Sequence, residues 1–114
     1  MIQQELISEM KGPYKIPRDW KWVRFGQNYF SVIGGGTPDT KIEEYWKNGS
    51  IKFVTPKDLG KLNSVFISDT ERKITKNGLN NSSSKLLPRG SIILSTRAPI
   101  GYIGIVSEDM CYNQ

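Results

Sequence analysis

Three consecutive glycines stand in the stretch VIGGGTPDTK, and they are the first residues whose type and spacing could do chemistry, because glycine loops often wrap a phosphate group. A P-loop needs a second glycine five positions after the first, followed by Lys and then Ser or Thr. Counting five positions from each glycine reaches Asp39, Thr40 or Lys41. The dinucleotide fingerprint G-x-G-x-x-G fails as well, since its last position from Gly34 is Asp39. The stretch therefore predicts a tight turn in which glycines take positive φ, and not a nucleotide site.

A second combination, two acids and a lysine, matches the loose P-D…(D/E)-x-K pattern of metal-dependent nucleases through Pro38-Asp39 and Glu71-Arg72-Lys73. Such a set around Mg²⁺ could activate water for phosphodiester cleavage. The pattern also arises by chance in a chain of which 24% is charged, and Glu71 better suits an exposed acid at a helix start. A nuclease fragment is therefore kept as an alternative and not as the main hypothesis.

The residue types that are missing exclude several kinds of catalysis. The chain has no histidine and a single cysteine, Cys111, which removes Ser-His-Asp and Cys-His catalysis, zinc sites built on histidine, and internal disulfides. With the failed glycine motifs, these absences lead us to expect no metal or nucleotide site in the chain.

The chain carries 16 basic against 11 acidic residues, a formal charge of +5. This balance favours a polyanionic partner.

The length and composition indicate one domain or part of one. The 114 residues, of which 37% are hydrophobic, can bury roughly two thirds of the surface that the unfolded chain exposes. No apolar run approaches the ~20 residues of a membrane span, and the start MIQQELISEMK carries acids where a signal peptide needs an apolar stretch. We expect a cytoplasmic protein with no membrane partner.

Short strands separated by turns dominate the predicted secondary structure. Strands are expected within WKWVRFGQNYFSVI, on either side of a helical turn, and in SIKFVT, VFIS, SIILST and YIGIVS. Helical turns are expected in residues 2–10, in KIEEYW and in TERKITKNGLNNSSS, where Gly78 or Asn80 closes the last one. The segments YKIPRDW, PKDLG, LLPRG and RAPIG are predicted to be extended or turns. Many short strands with only small helices indicate an α+β, β-dominated domain.

Most large apolar side chains are expected in the core of so small a domain. The aromatic set is Trp20, Trp22, Phe25, Phe30, Tyr45, Trp46 and Phe53, and the aliphatic set is Ile92, Ile93, Leu94, Ile100, Ile103, Ile105 and Val106. The alternative use of the aromatic rings is stacking on a flipped or single-stranded base.

Five segments occur in the order and at the spacing of a known domain. They are PRDW, GGGTP, EYWKNGSIKFVTPKDL, ITKNGLNNSSSKLLPRGSIILSTRAPIGYIGI and YNQ. From Pro17 to Gln114 the chain resembles the target-recognition domain of the specificity (S) subunit of Type I restriction-modification systems. The resemblance divides the chain into a leader with a short helix, residues 1–16, and a partial DNA target-recognition domain, residues 17–114. Because the family pattern continues past YNQ, we expect the chain to be truncated relative to its family.

The resemblance implies sequence-specific recognition of double-stranded DNA without catalysis. In that family two recognition domains, separated by long helices, each read one half of a split DNA target. The S subunit holds methyltransferase (M) subunits, which use S-adenosylmethionine, and restriction (R) subunits, which use ATP and Mg²⁺. The resemblance therefore implies M and R partners for the full-length protein, and neither enzymatic activity nor a cofactor for the chain itself.

The expected truncation raises a second hypothesis for the function. The alternative is a degenerate or silent recognition cassette, a scaffold fragment that no longer binds DNA. Truncation also leads us to expect self-association, because a strand edge or an apolar patch near YIGIVS would be left uncovered.

Candidate DNA contacts are chosen by side-chain chemistry, because the resemblance does not locate them. Lys and Arg suit phosphates, while bidentate Arg, Asn or Gln suit base edges. The candidates lie at predicted strand ends and loops: Lys52, Thr55, Lys57, Asn80, Asn81, Ser83, Ser84, Lys85, Arg89 and Arg97. Arg97 is expected either to read guanine or to pair with a carboxylate, for which Asp58 is the first choice.

Overall fold

The computed structural model describes residues 11–24 and 30–114. The chain divides into two compact units, Met1–Ile33 and Gly34–Gln114. The described part of the first unit, residues 11–24 and 30–33, contains neither helix nor strand, so the strands predicted there are wrong for those residues. Aromatic and β-branched residues favour a strand only where a neighbouring strand pairs with them. The helix predicted for residues 2–10 and the centre of the aromatic stretch, residues 25–29, lie outside the described residues.

The second unit holds all the regular elements of the described chain. In chain order they are a 3₁₀ helix (Glu43–Tyr45), β1 (Ile51–Val54), α1 (Pro56–Gly60), β2 (Phe66–Ile67), β3 (Arg72–Ile74), α2 (Lys76–Asn80), β4 (Ile92–Leu94), β5 (Ile103–Val106) and β6 (Cys111–Tyr112). The predicted strands in SIKFVT, VFIS, SIILST and YIGIVS are confirmed as β1, β2, β4 and β5. The predicted helical turns in KIEEYW and TERKITKNGLNNSSS are confirmed as well, the latter ending at Asn80 and not at Gly78.

The six strands form two small mixed sheets. In one sheet the order is β3-β1-β6, with β1 antiparallel to β3 and parallel to β6. In the other the order is β2-β5-β4, with β5 parallel to β2 and antiparallel to β4. Short strands in two sheets with only small helices confirm the predicted α+β, β-dominated class. Within residues 11–24 and 30–114, no helix has the length and apolar character that a membrane span requires.

One predicted turn is in fact a helix. PKDLG forms α1, which begins after Thr55 with a proline in its first turn and a capping-box arrangement in which the Asp58 carboxylate accepts the Thr55 N–H at 2.8 Å. A capping box satisfies backbone N–H groups that have no partner inside the helix. The pattern T-P-K-D could have been recognised in the sequence as this helix start.

The buried core differs from the prediction on one sheet. Ile93 and Val106 are buried, together with Val54, Leu59 and Ile67. By contrast, the side chains of four predicted core residues are more than half exposed: Ile92 (64%), Leu94 (53%), Ile100 (76%) and Ile103 (55%). The residues of β4 and β5 alternate between a core face and an outer face, and both faces of this sheet are apolar, so hydrophobicity alone could not tell them apart.

The aromatic residues also divide between core and surface. Phe53 is 1% exposed, and the Trp46 ring packs edge-on against it with 5.4 Å between ring centres. Trp20 and Phe30 are exposed instead, by 65% and 43%, so the prediction that they lie in the core is wrong. The predicted core position of Phe25 falls outside the described residues.

The glycine stretch serves close backbone packing. Gly36 donates its N–H to the carbonyl of Tyr112 at 3.3 Å, so the stretch runs beside β6. A Cβ on Gly36 would lie 2.6 Å from the Ser83 carbonyl carbon, closer than real side chains come. The positive-φ glycines of the described chain are Gly90 and Gly101, so the prediction of positive φ in the triple glycine is wrong. Glycine is needed at Gly35 and Gly36 because no side chain fits there, whereas Gly34 has open space around it.

Candidate nucleic-acid interface

The ten candidate DNA contacts fall in four places of the second unit. Lys52 lies on β1, while Thr55 and Lys57 lie at the start of α1. Five follow or end α2 and form a stretch that we call the serine loop, residues 80–85: Asn80, Asn81, Ser83, Ser84 and Lys85. Arg89 precedes β4 and Arg97 follows it, so the structure places these two arginines at opposite ends of one short strand.

Lys52 is held in an internal ion-pair network. Its side chain is only 23% exposed, and its Nζ lies 2.5 Å from Glu108 and 3.9 Å from Asp69. Asp69 follows β2, and Glu108 follows β5, which both belong to the other sheet. Lys52 therefore links the two sheets through their loops, and its charge is compensated within the domain.

Lys57 is compensated as well. Its Nζ lies 3.2 Å from the Glu71 carboxylate, which Lys61 also approaches at 3.7 Å. The hydrogen bond from Lys57 and the charges of the two lysines lower the pKa of Glu71 below its usual value of 4.5. The pKa of Asp69 is lowered too, by the backbone N–H of Thr70 and by the neighbouring lysines. Both carboxylates therefore stay charged at neutral pH. They form ion pairs with lysines that could otherwise contact phosphate.

The same geometry weakens the nuclease alternative. Asp69 and Glu71 line an open groove of about 550 Å³ together with Lys57 and Lys61, so lysines already neutralise the acids. Asp39 instead accepts the N–H of Lys41 at 2.9 Å. Across residues 11–24 and 30–114, no three His, Cys, Asp or Glu side chains group closely enough to hold a metal ion.

The serine loop is ordered by hydrogen bonds back to α2. The Asn81 amide donates to the Asn77 carbonyl at 2.9 Å, and the Ser82 hydroxyl donates to the Gly78 carbonyl at 2.7 Å. Ser84 points inward, where its hydroxyl has no well-aligned hydrogen bond among the described residues. Burial raises the pKa of the Cys111 thiol, and the nearby Ser84 hydroxyl partly opposes that rise. Ser84 therefore belongs to the interior, whereas Asn80 and Lys85 are exposed.

Arg97 projects from a loop that one buried serine organises. The Ser95 hydroxyl accepts the N–H of Tyr102 at 2.9 Å and donates to the Pro99 carbonyl at 2.7 Å, and the Gly101 N–H donates to the Ser95 carbonyl at 3.0 Å. Arg97 itself is exposed. This bracing holds the backbone on both sides of an exposed guanidinium, which is the arrangement that precise recognition needs.

Asp58 is not the partner of Arg97, and the pairing suggested from the sequence is wrong. One carboxylate oxygen of Asp58 accepts the Thr55 N–H at 2.8 Å, and the other accepts the Glu71 N–H at 3.0 Å. Asp58 is only 8% exposed. Its oxygens serve the start of α1 and the loop before β3, and so they are already occupied.

The ion pairs separate the candidate cations into two groups. Lys52 and Lys57 are paired, whereas Lys85, Arg89 and Arg97 form no ion pair with any residue in the described ranges. The Arg89 backbone is fixed, because its N–H donates to the Asp109 carboxylate at 2.9 Å. Three exposed, uncompensated cations on fixed loops can contact phosphates or base edges.

Two polar residues near the glycine stretch, Thr37 and Gln114, are not among the candidate DNA contacts predicted from the sequence. The Thr37 hydroxyl donates to the side-chain carbonyl of Gln114, beside the glycines that pack on Ser83 and β6. Hydroxyl and amide groups of this kind can read base edges. In the sequence, Thr37 is marked only by following GGG, and Gln114 only by following YN. Neither pattern predicts that the two side chains contact each other.

A family model described as the Type I restriction modification DNA specificity domain matches residues 17–114. The chain belongs to this family. It is 44% identical over 100 residues to the Type I restriction enzyme MjaIX specificity subunit of Methanocaldococcus jannaschii, covering 88% of this chain and 23% of that protein. It is 40% identical over 83 residues to the EcoR124I/EcoR124II specificity subunit of Escherichia coli, covering 72% of this chain and 19% of that protein. The specificity domain thus spans about a fifth of the length of the curated relatives it matches.

Proposed function

We propose that the chain is a non-enzymatic module that reads double-stranded DNA as part of the specificity subunit of a Type I restriction-modification complex. The observation that carries this proposal is the family match over residues 17–114. The relatives whose names identify them as specificity subunits of Type I restriction enzymes support it.

Within the second unit, we assign DNA contact first to the uncompensated cations Lys85, Arg89 and Arg97. Arg97 is suited to bidentate readout of guanine, because its loop is braced by Ser95. Exposed side chains of the serine loop, Asn80, Asn81 and Ser83, supply further donors and acceptors.

Of the other four candidates, three have structural roles. Lys52 links the two sheets, Thr55 caps α1, and Ser84 is buried. Lys57 is paired with Glu71, which offsets its charge. We therefore rank Lys52, Thr55, Lys57 and Ser84 below the uncompensated cations as DNA contacts.

Catalysis would reside on partner chains. In this proposal, M subunits supply S-adenosylmethionine-dependent methylation and R subunits supply ATP- and Mg²⁺-dependent cleavage, while this chain supplies recognition. Calorimetry with ATP, S-adenosylmethionine and Mg²⁺ should detect no stoichiometric binding at submillimolar concentration.

Selection from a randomised duplex library tests the proposal directly. We expect repeated rounds of capture on the chain to enrich a common short motif, and the enriched duplex to bind more tightly than the starting pool in fluorescence anisotropy. No binding at all would favour the alternative of a silent cassette, and equal binding of every sequence would refute sequence-specific reading.

Variants of Arg97 then separate reading from folding. Arg97→Ala should relax the preference at one base pair, a change of about 1 to 3 kcal/mol in discrimination, and leave the unfolding curve unchanged. Arg97→Lys keeps the charge but loses the bidentate fork, so it should show the same loss of preference. Lys47→Ala, which removes an exposed cation paired with Glu43, is the matched control. A fall in stability without a change in preference would make Arg97 a structural residue.

A further inference from the structure

Positive charge is concentrated in residues 11–24 of the first unit, outside every candidate contact considered so far. Residues 11–24 (KGPYKIPRDWKWVR) carry five basic side chains and one acid, Asp19. Fourteen residues therefore hold a net charge of +4, against +5 for the whole chain. The same fourteen residues contain Tyr14, Trp20 and Trp22. Basic residues interleaved with aromatic ones are typical of surfaces that bind nucleic acids.

The segment has a defined shape although it contains neither helix nor strand. The Trp22 ring packs edge-on against Tyr14 with 4.9 Å between ring centres, and its indole N–H donates to the Tyr14 carbonyl at 3.3 Å. Gly12 lies directly under the indole, where a Cβ would overlap the ring. The Trp20 N–H donates to the Pro17 carbonyl at 3.0 Å and closes a turn. Trp22 thus fixes the path of the backbone from which the cations project.

The cations of this segment are available to a ligand. Lys11, Lys15, Arg18 and Lys21 are exposed, and none of them takes part in an ion pair with a residue in the described ranges. They line an open groove of about 550 Å³ together with Trp20, whose side chain is 65% exposed. Uncompensated cations around an exposed indole suit a polyanion that also carries flat groups.

We propose that residues 11–24 form a second DNA-contact surface, which holds the phosphate backbone through Lys11, Lys15, Arg18 and Lys21. The segment would supply affinity without sequence preference, because phosphate contacts carry no base information. This inference rests on the proposed function, in which duplex DNA is the ligand. An anionic membrane would attract the same charges, but the segment offers no amphipathic helix and, in Trp20 and Tyr14, only isolated apolar groups to insert.

Salt dependence of binding tests the proposal. A fluorescein-labelled duplex of random sequence is titrated with the chain at several salt concentrations, and log K is plotted against log [salt]. The test variant is the triple substitution Lys15→Gln, Arg18→Gln and Lys21→Gln. Because each lost phosphate contact lowers the slope by about 0.9, the slope should fall by about 2 to 3, and affinity at 0.1 M salt should fall about a hundredfold for all sequences alike.

A matched variant controls for net charge. Lys47→Gln, Lys61→Gln and Lys73→Gln remove the same number of charges from lysines that are paired with carboxylates in the second unit. We expect this control to change the slope by less than about 1. The charge-retaining variant Lys15→Arg, Arg18→Lys and Lys21→Arg should keep the parent slope, which shows that charge and not fold was lost. Thermal unfolding should be the same for all four proteins.

Three results would overturn the inference. Equal slopes for the test and control triple variants would remove the segment from the DNA surface while leaving the proposed function intact. Loss of binding to vesicles of phosphatidylserine and phosphatidylcholine in the test variant, with an unchanged DNA slope, would make it a membrane surface. A parent chain that binds no duplex would end the inference and the proposed function together.

Discussion

Replacing Asp58 should destabilise the domain more than replacing any exposed carboxylate. Asp58 is 8% exposed, and its two oxygens accept the N–H groups of Thr55 at 2.8 Å and Glu71 at 3.0 Å. Loss of a helix cap costs about 1 kcal/mol, and loss of a buried hydrogen bond to a charged group costs about 1.5 to 3 kcal/mol. Asp58→Ala should therefore lower the free energy of unfolding by about 3 kcal/mol, a large part of the roughly 5 to 15 kcal/mol of a typical domain.

Urea unfolding followed by circular dichroism measures this loss. Asp58→Asn keeps one acceptor oxygen and should lose about half as much, so it supplies a value even where the alanine variant does not fold. Glu44→Gln, a change at an exposed carboxylate, is the control and should stay within about 0.5 kcal/mol of the parent. If Asp58→Ala loses less than about 1 kcal/mol, then Asp58 does not join α1 to the loop before β3 as we argue.

Three further predictions follow from packing and charge. Gly36→Ala should lower the melting temperature by several degrees, because its Cβ would lie 2.6 Å from the Ser83 carbonyl carbon; an unchanged melting temperature would show that the backbone can move apart. The chain should self-associate in sedimentation velocity at high concentration and Ile92→Lys should suppress this, since Ile92 is 64% exposed on an apolar sheet face; a monomer at every concentration would contradict it. The lowered pKa of Glu71 beside Lys57 contributes stability that is present above its usual value of 4.5 and is lost as pH falls through the folded-state value, so Glu71→Gln should make the acid side of the stability curve shallower; a parallel curve would refute this.

Local sequence patterns predicted the strands that are built of buried strand-forming residues. In β1, Phe53 and Val54 are strong strand formers that the second unit buries, and Asn48-Gly49 marks the turn before it. β3 (Arg72–Ile74) was missed because two of its three residues are charged. It lies at the edge of its sheet and bonds only to β1, so its charged side chains stay outside the core. Its Arg72 stacks on Trp46 at 3.8 Å, a contact that no local pattern contains.

The sequence predicted which residue types could contact DNA, but not which of these side chains are paired within the domain. Lys52 and Arg97 look alike in the sequence, each a cation beside a predicted strand, yet Lys52 is compensated by Glu108 and Arg97 has no such partner in the described ranges. That difference depends on residues that lie far apart in the chain. The charge of residues 11–24 is visible in the sequence, but the packing of Trp22 on Tyr14 that fixes their backbone is not, because it depends on the fold.

The parallel strand pairs of the two sheets have a consequence for how the chain folds as it is synthesised. Phe53 in β1 pairs with Cys111 in β6, about sixty positions later, and Phe66 in β2 pairs with Ile105 in β5, about forty positions later. Contacts of such long range make folding slow, because the chain loses loop entropy before the contacts compensate for it. At a synthesis rate of about 5 to 20 residues per second, β1 leaves the ribosome roughly 3 to 12 seconds before its parallel partner exists. During those seconds β3 can already pair with one edge of β1, but the other edge, which β6 covers in the finished domain, stays open to pairing with other chains.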